Sequence, residues 1–121
     1  MKKAQIKDYI YIYRMRQKLT QLELCRKLKI KYEAYKLFED GALSFKAYER
    51  NFKDDSIKVL IKSKIKDLTP KENYDIWRRV TEKDDEDLAK MIGVSFKTIY
   101  SNIGVDSRIG KFINKIIKEV L

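Results

Sequence analysis

Apolar residues return every three or four positions along most of the 121-residue chain, with one proline and four glycines to interrupt them. That is the spacing of a buried stripe on a helix rather than the alternation of a strand. It predicts eight or nine short helices. The first covers residues 3–18, with Ile6, Tyr9, Ile10, Tyr13 and Leu19 on one face. Thr20 is placed to cap a second helix over 20–29, with Leu22, Leu24, Cys25 and Leu28 inward; a third over 31–39 turns Tyr35 and Phe38 inward before Gly41 stops it. Ser44 opens a helix with Phe45, Tyr48 and Phe52, and Asp55 or Ser56 opens one through Ile57, Leu60, Ile61 and Ile65. Thr69-Pro70 restarts the pattern, Thr as cap and Pro in the first helical position. Helices follow over 70–80 (Tyr74, Ile76, Trp77, Val80), 84–92, 95–103 and 106–120. The expected fold is all-α, in two units over residues 1–66 and 67–121 that are joined by helix near 58–66 and packed as an internal pseudo-dimer. A short wing is the only non-helical element allowed for.

Two segments carry the spacing of a helix-turn-helix, which needs a small residue early in its first helix, a sharp turn, and apolar residues at fixed places to bury the crossing. With the small residue counted as fifth, Leu88, Ala89, Ile92, Gly93, Val94 and Ile99 fill positions four, five, eight, nine, ten and fifteen. Asn102 falls at position eighteen, where an apolar residue is expected, and Ile103 beside it can close the core. The same pattern fits Leu24, Cys25, Leu28, Lys29, Ile30, Tyr35 and Phe38, with Lys29 where Gly is usual. The chain also resembles itself in two registers. An offset of 64 aligns Lys7 with Lys71, Ile12 with Ile76, Arg14 with Arg78 and Leu24 with Leu88; an offset of 51 aligns SFKAYERNF at Ser44 with SFKTIYSNI at Ser95. The first register packs better, because the second puts Phe38 at the small position.

RMRQKLTQLELCRKLKI followed by KYEAYKLFEDGALSF, within a stretch of about residues 12–60, resembles the Cro and phage-repressor (XRE) family of regulators. The resemblance implies that Gln21 touches a phosphate and that Lys31, Tyr32, Glu33 and Lys36 face the major groove. DEDLAKMIGVSFKTIYSNI is similar to the short helix-turn-helix of many bacterial regulators, recombinases and excisionases, with Ser95, Phe96, Lys97, Thr98, Tyr100 and Ser101 presented to DNA. Small basic proteins of this tandem layout resemble regulators of phages and conjugative plasmids, TraN-type transfer repressors among them.

Charge agrees with a polyanionic partner. There are 28 Lys and Arg against 18 Asp and Glu, a net +10 and a pI near 9.6, and residues 1–60 hold 15 basic and 8 acidic side chains against 13 and 10 in residues 61–121. Arg14, Arg16, Lys18, Thr20, Gln21, Ser44, Lys46, Arg78 and Arg79 are the phosphate-contact candidates; Lys58, Lys62, Lys64 and Lys66 form a further series that is by default a solvated face. Tyr9, Tyr11 and Tyr13 fit either a stacking surface or a helix that is core on one side. Histidine is absent and Cys25 is the sole cysteine, which excludes a His/Cys zinc site and a His-assisted nucleophile. The acids Glu82, Asp84, Asp85, Glu86 and Asp87 lack the spacing of a calcium loop and suit a helix N-terminus. Thus no cofactor, no metal and no enzymatic activity are expected. The expected partner is double-stranded DNA, bound by a cytoplasmic chain, monomeric or homodimeric, that represses transcription of a mobile element. A DNA-bending recombination or relaxosome factor and a protein-interaction inhibitor are the alternatives.

Overall fold

In a computed structural model that describes residues 3–52 and 67–121, eight α-helices supply the regular structure, with no strand among the described residues. They are α1 (Ile6–Arg16), α2 (Gln21–Leu28), α3 (Tyr32–Glu39), α4 (Phe45–Phe52), α5 (Pro70–Thr81), α6 (Asp85–Ile92), α7 (Phe96–Asn102) and α8 (Arg108–Lys118). The expected helix through Ile57, Leu60, Ile61 and Ile65, and the cations Lys58, Lys62, Lys64 and Lys66, lie outside the described residues.

Most helices begin where a side chain replaces the backbone partners that a first turn lacks. Thr20, Thr69 and Asp84 each accept from the backbone N–H three residues on, while Glu23, Glu72 and Asp87 accept from the cap's own N–H, three reciprocal capping boxes. Ser44, Ser95 and Ser107 cap α4, α7 and α8 by accepting from Ala47, Thr98 and Gly110. α1 starts at Ile6, where its apolar stripe begins, rather than at residue 3, because Gln5 caps it and Asp8 accepts from the Gln5 N–H at 2.8 Å. Asp8 is consequently buried, although it lies off the expected apolar stripe.

The chain divides into two compact units, Gln5–Lys66 and Asp67–Leu121, the latter joined by Met1–Ala4. The first residues therefore belong with the C-terminal unit: the Ala4 N–H donates to the Val120 carbonyl at 2.6 Å. In the N-terminal unit α3 packs against α1, α2 and α4. Ile10, Tyr13, Leu24, Cys25, Ala34, Tyr35, Phe38 and Tyr48 form its core. Phe38 is the hub, 5.2 Å from the Tyr48 ring centroid and 5.5 Å from that of Phe45. Leu22, expected inward, is instead 40% exposed. In the C-terminal unit α7 packs against α6 and α8, and α8 against α5.

Helix bounds repeat at an offset of 64. α1 and α5 start at Ile6 and Pro70, α2 and α6 span Gln21–Leu28 and Asp85–Ile92, and α3 and α7 start at Tyr32 and Phe96. After that the register slips by one: left-handed Gly41 corresponds to left-handed Gly104, and cap Ser44 to cap Ser107. Ser44 is thus the counterpart of Ser107, not of Ser95, and the offset of 51 is not structural.

Candidate nucleic-acid interface

The turn between α2 and α3 and the turn between α6 and α7 are built alike. Lys29 and Gly93 close their helices in the left-handed conformation, at φ 58° and φ 84°. The N–H groups of Lys29 and Ile30 both reach the Cys25 carbonyl, as those of Gly93 and Val94 reach the Ala89 carbonyl. These paired bonds satisfy the helix's last carbonyls and reverse the chain within three residues. Lys29 adopts a backbone that side chains disfavour, so the expected loss of Gly at this turn is tolerated rather than avoided. Leu24, Cys25, Tyr35 and Phe38 are buried in the first unit and Leu88, Ala89 and Ile99 in the second. At position eighteen Asn102 does what Phe38 does by packing, but by hydrogen bonds: its amide donates to the Thr98 carbonyl and its oxygen accepts from the Ser107 hydroxyl, both at 2.7 Å.

The outward face of α3 brings together three of its four predicted readers: Lys31, Glu33 and Lys36 are exposed. Tyr32, the fourth, packs against the core and leaves only part of itself to solvent. Exposed Leu37 joins this face, and exposed Arg26, Lys27 and Lys29 flank its N-terminal end. Sequence reasoning gives these three cations no contact role because they lie on the last turn and C-cap of α2 rather than on α3.

On α7 the predicted readers are largely engaged inside the unit. The Ser95 hydroxyl caps the helix and meets that of Thr98 at 3.0 Å, Ser101 donates to the Lys97 carbonyl at 2.5 Å, and Tyr100 donates to Asp85 Oδ2 at 2.7 Å. Only the side chains of Phe96, 49% exposed, and Lys97 remain with no polar partner among the described residues. Asp84, Asp85 and Glu86 line a recess with Phe96, so the α7 face is rimmed by carboxylates.

The phosphate candidates divide similarly. Arg14 is almost buried and donates to Glu39 through Nε and Nη2, the latter at 2.6 Å, and to the Leu19 carbonyl at 3.0 Å. Burial works against its charge, but Glu39 outweighs it and holds the guanidinium more firmly protonated. Arg14 is therefore an internal brace between α1 and α3 and not a phosphate ligand. At the offset of 64 Glu39 becomes Ile103, and Arg78 turns instead to Asp75 at 3.0 Å and Asp85 at 3.6 Å. Tyr74 also donates to Asp85, and its hydroxyl is pushed above the usual range by burial and by that carboxylate. Arg78 thus shares its charge with two carboxylates while its side chain stays 39% exposed. Thr20 and Ser44 spend their oxygens as caps, and Gln21 donates to Asp40 at 3.2 Å. Arg16, Lys18 and Lys46 are exposed and Arg79 is half-buried.

No family model, curated protein or solved structure matches the chain. Its own residues carry the assignment. Residues 5–66 hold sixteen basic and eight acidic side chains, whereas residues 67–121 hold ten of each. Essentially the whole positive excess lies with the N-terminal unit and residues 1–4. Among the described residues no helix is long and apolar enough to cross a membrane, and no acidic or cysteine cluster is arranged to hold a metal ion.

Proposed function

We propose that the chain is a sequence-specific double-stranded-DNA-binding regulator, a transcriptional repressor of a mobile element, that reads DNA with α3. The observation that carries this reading is the α2-turn-α3 unit. Its inner side is locked by Leu24, Cys25, Tyr35 and Phe38, which leaves Lys31, Glu33 and Lys36 outward on one helix of the unit that holds the positive charge. A helix presented this way fits the major groove, where cations and carboxylates meet distinct base edges. The Leu19-Thr20-Gln21 start, where Thr20 caps α2, is among the features that carry the XRE resemblance. The C-terminal unit has the same frame, but its acidic rim and engaged hydroxyls favour base reading by α3 over reading by both helices.

Selection of bound duplexes from a random pool tests this directly. A defined motif should be enriched, and affinity for it should fall steeply with salt. A pool that stays random, or an affinity indifferent to salt, would overturn the reading.

A further inference from the structure

α8 carries a feature that the helix-turn-helix units do not explain. Arg108, Lys111, Lys115 and Lys118 recur at helical spacing, so they share one face, and all four are exposed. The opposite face is buried through Gly110, Ile113 and Ile117. No acidic residue occurs between Arg108 and Lys118, although the C-terminal unit's residues 67–121 are neutral overall. The stripe runs about 15 Å along the helix axis, and just past its end Lys3 Nζ donates to the Glu119 carbonyl at 2.5 Å.

Helix stability does not account for this pattern. Lys115 and Lys118 suit the C-terminal end of the dipole, but Arg108 and Lys111 sit in the first turn, where cations are unfavourable. Neighbouring cations three and four apart also repel each other. Among the described residues the stripe has one acidic partner, Asp106, 3.3 Å from Lys111 with both groups largely exposed, and such a pair contributes little. The arrangement therefore stores repulsion that a line of phosphates would relieve. A lipid surface fits less well, because the apolar side of α8 is already committed to the core and only Phe112 is left exposed beside the stripe.

We propose that the α8 stripe is a sequence-independent contact to the DNA phosphate backbone, so that the C-terminal unit adds affinity through α8 rather than through α7. This rests on the DNA-binding reading above. The test compares wild type with the fourfold variant Arg108→Gln, Lys111→Gln, Lys115→Gln, Lys118→Gln on a selected duplex and on a scrambled one, between 50 and 200 mM salt. Circular dichroism should report unchanged helix content, since the four side chains are exposed. Each lost phosphate contact removes about 0.9 from the slope of log affinity on log salt, so the slope should shrink by about 3 to 4, and about a hundredfold of the salt-induced loss should disappear. The weakening should be equal on both duplexes. A wild type that binds DNA with a slope unchanged in the variant overturns this inference alone. Loss of binding to phosphatidylglycerol vesicles with DNA binding intact overturns it in favour of a membrane. A wild type without salt-dependent DNA binding overturns the parent reading instead.

Discussion

Arg14 and Glu39 are the most consequential pair of residues in the N-terminal unit. Glu39 is 1% exposed, and its carboxylate is compensated by the guanidinium that bridges α1 to α3. Removing one partner of a buried ion pair strands the other charge, so Glu39→Ala should lower stability by about 3–5 kcal/mol, read by urea unfolding. Replacing both residues with leucine should cost much less. Equal losses would show that the pair is not a compensated unit. Cys25 beside them behaves as a small apolar residue. Burial, then the Glu39 carboxylate, pushes its thiol up to about 11 from an ordinary value near 9. The folded state thus holds this proton more tightly than the unfolded chain. That contribution to stability is fully present below pH 9 and is lost as pH rises through about 11. A disulfide reagent at pH 8 should leave Cys25 unlabelled until denaturant unfolds the protein, and rapid labelling of the native state would refute its burial.

The two turns allow a comparison between elements. Lys29 occupies a left-handed conformation that Gly93 adopts without strain, so Lys29→Gly should raise the melting temperature and Gly93→Ala should lower it, each by about 1 kcal/mol of stability. If Lys29→Gly destabilises, the Lys29 side chain holds the turn in some way that its geometry does not reveal. Elements of this kind were legible in the sequence because their causes are local. Caps lie three residues from their partners, apolar stripes recur within a turn of helix, and the helix-turn-helix frame fits in twenty residues. What escaped the sequence depends on distance or on engagement. Arg14 reads as a surface cation until Glu39, 25 residues away, is brought to it. The hydroxyls of Ser95, Tyr100 and Ser101 look available until Thr98, Asp85 and the Lys97 carbonyl take them. Tyr32 looks outward by position, yet its ring leans onto the core.

At the scale of the whole molecule, two similar frames carry unequal charge. Reversing a cation on the face that reads DNA should cost about 1–3 kcal/mol of binding and relax discrimination between sites. Lys36→Glu should show this on a selected duplex, and Lys97→Glu, beside the acidic rim of α6, should change affinity far less. Equal losses would restore a reading role to α7. The one-residue slip between the units has a different meaning. The second frame reaches its glycine and its capping serine one residue sooner than the first, yet both frames close their cores. The slip lies in the third helix itself, eight residues long in α3 and seven in α7, while five residues precede the fourth helix in each unit. Extra residues are accommodated cheaply where backbone is exposed and unengaged. A short flexible insertion between Asp106 and Ser107 opens one backbone bond, from the Ser107 N–H to the Val105 carbonyl, and should lower the melting temperature of the C-terminal unit while leaving it folded by circular dichroism. The same insertion between Gly93 and Val94 would part the two N–H groups that share the Ala89 carbonyl and unfold it. The position to carry a label or a fused domain is thus the loop before α8.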